Sequence, residues 1–64
     1  TNLMAYYRKG TDRTLLVVAN YQHDAQDVVL PGTYKKVLMN NLDTLDLNGD
    51  ILNMPGYQAV IFEI

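Results

Sequence analysis

The chain has no cysteine, no tryptophan and no serine, and His23 is its single histidine. Without cysteine it can form no disulfide, and one histidine cannot supply the Cys/His sets that hold structural zinc. Serine and cysteine are the common nucleophiles of acyl transfer, and neither is available. Threonine is present, but none stands in a distinctive context. No apolar run approaches the ~20 residues that a helical membrane span requires, so no membrane partner is expected. Cations are few and scattered along the chain: Arg8 with Lys9, Arg13, and Lys35 with Lys36 lie in three places, within a net charge of −2. Nucleic-acid surfaces need several neighbouring cations to displace phosphate counterions, and no nucleic-acid partner is expected. The absence of cysteine and of any Asn-x-Ser/Thr sequon fits a cytoplasmic protein.

Sixty-four residues make one domain at most. A chain of this size buries only roughly 60% of the surface its unfolded form exposes, so domains like it lean on disulfides, a metal or a partner surface. With the first excluded and a zinc site nearly so, a partner surface remains. The composition, 48% hydrophobic with five tyrosines, is too apolar for intrinsic disorder. The first residue, Thr1, suggests a segment cut from a longer polypeptide.

Turn-forming residues punctuate the chain at regular intervals: Lys9 to Asp12, Asn20 to Asp24, Pro31-Gly32, Asn40 to Gly49 and Pro55-Gly56. Between them lie short stretches rich in β-branched and aromatic residues, the spacing of a sandwich or small barrel. No window carries apolar residues at helical spacing with a polar remainder. The pattern predicts an all-β, antiparallel sandwich of about six strands: Leu3–Arg8, Thr14–Asn20, Gln26–Leu30, Tyr34–Met39, Asp50–Met54 and Tyr57–Ile64. The stretch Asn41–Leu47 reads either as loop or as a short strand in which Leu45 and Leu47 share a face. Gly10 suits a hairpin loop of about four residues. Asn48-Gly49 is the dipeptide of a type I′ turn.

Two strands break simple alternation. Leu15 to Ala19 and Ala59 to Phe62 are apolar on both faces, whereas a two-sheet sandwich normally leaves one face of each sheet wet. Either something covers the outer face, or a barrel-like closure makes these simply central strands. Pleat sends Leu15, Val17 and Ala19 to one side and Leu16 and Val18 to the other; likewise Ala59 and Ile61 oppose Val60 and Phe62. The sequence does not say which set is outer; Leu16, Val18, Val60 and Phe62 are taken as the candidate domain-interface set.

Three segments carry a resemblance. Leu3-Met4-Ala5-Tyr6-Tyr7-Arg8, Leu15-Leu16-Val17-Val18-Ala19-Asn20-Tyr21 and Pro55-Gly56-Tyr57-Gln58-Ala59-Val60-Ile61-Phe62-Glu63-Ile64 occur in order. They resemble the C-terminal domain of bacterial oligo-1,6-glucosidases, dextran glucosidases and trehalose-6-phosphate hydrolases, in the α-amylase superfamily. Gly56 is an extra residue relative to that pattern, and Gln58 stands where the family often has Glu. The resemblance implies a Greek-key sandwich over residues 1–64, docked as an accessory domain on a catalytic (β/α)8 barrel that this chain lacks. It implies a parent enzyme of retaining α-glucosidase type, whose Asp nucleophile and Glu acid/base lie about 5–5.5 Å apart in the general pattern.

The residues present point the same way. Of the seven carboxylates, Asp12, Asp24, Asp43, Asp46 and Asp50 sit in or beside turns, where Asp bonds local backbone. Asp27 and Glu63 fall in strands. No catalytic pair is assigned, and no cofactor or metal ligand. Asp46-x-Asn48-x-Asp50 matches the start of an EF-hand loop. The match then fails, with Ile51 where Gly is required and Tyr57 where a bidentate Glu belongs. His23 reads as an exposed loop residue. Tyr6, Tyr7, Tyr21, Tyr34 and Tyr57 raise α-glucan binding as an alternative, although carbohydrate modules commonly use tryptophan for stacking. An accessory domain, a carbohydrate-binding module and an unrelated small β interaction domain therefore stand as the candidate functions.

Overall fold

The computed structural model describes residues 3–64, none of them helical. Seven antiparallel strands follow in order: β1 (Leu3–Lys9), β2 (Thr14–Asn20), β3 (Gln26–Val29), β4 (Lys36–Asn40), β5 (Asp46–Asn48), β6 (Ile51–Met54) and β7 (Ala59–Glu63). They form a four-stranded sheet ordered β1-β2-β7-β4 and a three-stranded sheet ordered β3-β6-β5. Only β1–β2 and β5–β6 are hairpins; every other connection carries the chain between sheets, as in a Greek-key sandwich.

The strand count exceeds the six expected because the uncertain stretch before Asn48 does pair. Asp46, Leu47 and Asn48 lie opposite Asn53, Leu52 and Ile51. Other boundaries retract where the chain must change sheets. Residues 31–35 span from the three-stranded to the four-stranded sheet, so β4 begins at Lys36 rather than Tyr34. The Tyr34 ring instead packs on Phe62, with centroids 4.9 Å apart and planes tilted by 53°.

The β5–β6 turn is also shifted by one residue from the expected type I′. Asn48 pairs with Ile51, leaving Gly49 and Asp50 as the two central residues. Gly49 has φ +64° and Asp50 is not in the positive-φ region, the sign pattern of a type II′ turn with glycine first. The β6–β7 turn is closed by the Gln58 amide donating to the Pro55 carbonyl at 3.2 Å. Gly56, the extra residue there, is compulsory: a Cβ would sit 2.1 Å from the carbonyl oxygen of His23. Its neighbour Tyr57 holds φ +64°, a conformation that costs an L-residue on the order of 1–2 kcal/mol.

The core lies between the sheets. Leu16, Val18, Val60 and Phe62 from the four-stranded sheet meet Leu52 and Met54 from β6, with Leu30 beside them. At one end of the sandwich, buried amides tie the loops together. The Asn20 side chain donates to the carbonyls of Asp24 (2.9 Å), Met54 (3.1 Å) and Pro55 (3.2 Å) and accepts from the Gln22 amide (3.1 Å). Gln58 donates to Asn40 Oδ1 (3.0 Å) and to the Thr44 carbonyl (2.9 Å). Asn41 clamps the strained turn, donating to the Tyr57 carbonyl and accepting from the Ala59 amide. Three sheet-crossing loops are thus pinned to one another by side chains bonded to their backbone, although Gln58 Oε1 is buried without a partner.

Candidate functional site

Residues opposite each other in neighbouring strands share a face, so the register lays out both outer surfaces of the sandwich. On the three-stranded sheet, Asp27 lies opposite Asn53 and Asn53 opposite Asp46, while Val29 and Asn48 flank Ile51. Asn53 donates to Asp27 at 2.8 Å across this surface. Apart from Val29 and Ile51 this face is polar, as a solvated sheet face should be.

The four-stranded sheet is different. One row across it reads Tyr6, Val17, Ile61, Met39; the next reads Met4, Ala19, Ala59. Together they make a continuous apolar band on the side away from the core. Val17, Ala59 and Ile61 are half-buried by their own neighbours, while Tyr6 and Met39 at the margins are 42% and 44% exposed. Tyr21 closes one end of the band, its hydroxyl 3.4 Å from the Met4 sulfur. At the other end the row changes character to Arg8, Leu15, Glu63, Lys36. There Lys36 Nζ and Glu63 Oε1 approach to 3.8 Å. An apolar centre with a charged rim is the anatomy of a protein–protein contact.

The set facing away from the core is therefore the alternate one. Leu16, Val18, Val60 and Phe62, taken as the interface candidates, are 4%, 0%, 0% and 0% exposed and form the core. Their partners in pleat, Leu15, Val17, Ala59 and Ile61, face outward. The pleat fixed the division into two sets, but only the position of the second sheet decides which set is inside.

A further feature was hidden by reading the cations linearly. The β1–β2 loop is closed by the Gly10 amide donating to the Arg13 carbonyl at 2.8 Å, and Lys9 lies opposite Thr14. Folding the hairpin gathers Arg8, Lys9 and Arg13 around one notch of about 250 Å³, with Leu15 in its wall. The four-residue loop was legible in the sequence, and counting back across it would have placed Arg13 beside Lys9.

The remaining candidates disperse. His23 Nδ1 and Asp24 Oδ1 lie 3.3 Å apart, fully in solvent at 90% and 86% side-chain exposure. Asp46 and Asn48 belong to β5 and Asp50 to the tight turn after it, so the EF-hand-like spacing is part of a hairpin. Among the described residues no three His, Asp or Glu side chains converge. The tyrosines divide as well: Tyr6 and Tyr21 border the outer apolar band, Tyr7 points to the opposite side of β1, Tyr34 leans on Phe62, and Tyr57 occupies its turn.

Comparison with known proteins matches residues 3–61 to the family described as the α-amylase SusG C-terminal domain. A curated relative, the glucan 1,6-α-glucosidase of Streptococcus pneumoniae serotype 4, is 46% identical over 39 residues. That stretch is 61% of this chain and 7% of the relative, so the chain corresponds to a small part of that enzyme's length.

Proposed function

Because this chain belongs to the α-amylase SusG C-terminal domain family, we propose that it is a non-catalytic accessory domain whose four-stranded sheet packs on the catalytic (β/α)8 barrel of the same polypeptide. The parent would be a retaining α-glucosidase-type glycoside hydrolase, in keeping with the name of the pneumococcal relative. The observation that carries the reading is the contrast between the two outer faces. The Asp27–Asn53–Asp46 row is polar throughout, with Val29 and Ile51 the apolar exceptions on its face, while the Tyr6–Val17–Ile61–Met39 row has apolar side chains from edge to edge.

The gain from covering such a band is substantial. Full burial of a Val, Leu or Phe contributes about 1.5–3 kcal/mol. The band's side chains are already more than half buried, so covering them adds roughly 2–5 kcal/mol, a useful fraction of the ~5–15 kcal/mol stability of a typical domain. The domain would stabilise the barrel and be stabilised by it. Comparing urea unfolding of the 64-residue chain with that of the same residues in the full enzyme, by hydrogen exchange of β2 and β7, tests the proposal. Greater protection in the full enzyme supports docking. Equal protection and a soluble, monomeric lone domain would refute it.

A further inference from the structure

We propose that the Arg8–Lys9–Arg13 notch is the charged half of this docking surface and receives carboxylate side chains of the catalytic portion. The inference rests on the docking reading above and adds the chemistry required of the partner. The notch is continuous with the apolar band through Leu15, which lines the notch and stands in the same cross-sheet row as Arg8 and Glu63. A partner covering Val17 and Ile61 must therefore also come up against Arg8.

The charge at this border is unbalanced within the domain. The ion pairs among the described residues are His23–Asp24 and Lys36–Glu63. Glu63, the nearest carboxylate in the row, is engaged by Lys36, and its side chain is only 16% exposed. Asp12, in the hairpin loop, accepts from the Thr11 hydroxyl at 3.4 Å instead of meeting a cation. Arg8 and Arg13, with the Lys9 segment between them, thus line a site with no carboxylate in ion-pair contact among the described residues. Bringing an apolar partner over that site would strip water from uncompensated cations, which is costly unless the partner supplies anions. Arginine forks suit this task, since guanidinium binds carboxylate through two parallel hydrogen bonds.

The test uses the full-length enzyme carrying Val17→Cys at the centre of the band. The domain contributes no other cysteine, so alkylation of this peptide, followed by mass spectrometry, reports how often the face opens. Slow alkylation relative to the lone domain is the expected baseline. Arg8→Gln and Arg13→Gln should each speed it roughly two- to fivefold, the equivalent of a partly screened ion pair, while Arg8→Lys should change it less. Raising NaCl should accelerate alkylation in the parent but not in the double arginine variant. Slow alkylation indifferent to the arginine substitutions and to salt would overturn the carboxylate contact while leaving docking intact. Alkylation as fast as in the lone domain would overturn docking, and this proposal with it. Both arginines are exposed, so the fold of the domain is not at stake in these variants.

Discussion

Replacing Asn20 by Asp exchanges one nitrogen for one oxygen and leaves the volume unchanged. Asn20 is 1% exposed, so no solvent compensates the change. Its NH2 group points at three carbonyl oxygens, those of Asp24, Met54 and Pro55, at 2.9–3.2 Å. The substitution removes both N–H donors: the neutral acid keeps one O–H in their place, and the ionised acid sets acceptors against acceptors. For the neutral acid one lost hydrogen bond costs about 1 kcal/mol and a buried carbonyl left unpaired adds about 1–3 kcal/mol, so a loss of about 2–4 kcal/mol is expected. The ionised acid fares worse, because burial and the carbonyl dipoles both disfavour its charge. Its pKa in the folded state is therefore raised above the ordinary ~3.9 of an unfolded Asp. The penalty is then smallest below pH ~4 and grows as pH rises through the folded-state value. Urea unfolding of the 64-residue chain, followed by tyrosine fluorescence at pH 4 and pH 7, measures both effects. With a slope of about 1 kcal/mol per molar urea, the midpoint should fall by about 2–4 M or the variant should be unfolded outright, and the gap from the parent should be wider at pH 7. A midpoint within about 0.5 M of the parent at pH 7 would refute the role assigned to Asn20.

Further expectations concern the core, the turn and the outer face. Leu52→Ala, at a fully buried β6 position, should cost about 2–5 kcal/mol in the same unfolding assay. Tyr57→Gly should relieve the positive φ and raise the urea midpoint, the opposite of the usual effect of adding glycine, whereas Gly56→Ala should lower it through collision with the His23 carbonyl. Val17→Thr or Ile61→Thr should leave the lone domain folded and more soluble in sedimentation experiments, yet lower the thermal midpoint of the full enzyme. Purified chain should release no glucose from isomaltose, since it pairs no two carboxylates around a sugar-sized pocket; release that survives repurification would contradict this.

What the sequence disclosed and withheld follows from the range of the interactions concerned. β2 and β7 announce themselves through runs of Val, Ile and Leu, and Gly10 and Pro31 through local backbone chemistry. Those are properties of neighbours in the chain. β5 is only three residues long, and its strand character comes from pairing with β6 rather than from its own composition. Asn20 and Gln58 look like ordinary polar residues in or beside strands. Their burial depends on where three distant loops meet, which no local pattern encodes. The same holds for the face assignment: the period of two separated Leu16 from Leu15, but only the location of the second sheet made Leu16 core and Leu15 surface. In the sequence Gly56 is only an extra residue; the His23 backbone pressed against it belongs to the folded chain.

The order β1-β2-β7-β4 places β7, the last described strand in chain order, between two strands that do not pair with each other. β2 and β4 are synthesised well before their common neighbour. A ribosome-bound chain can close the β1–β2 and β5–β6 hairpins early, but the four-stranded sheet stays split until Ala59–Glu63 has emerged. The apolar band has the same dependence, because Ala59 and Ile61 are its middle. A chain cut short of Ala59 would thus lack both the strand that joins the sheet and the middle of the band. In this arrangement β7, by its position alone, unites the sheet only after the strands on both sides of it have been made.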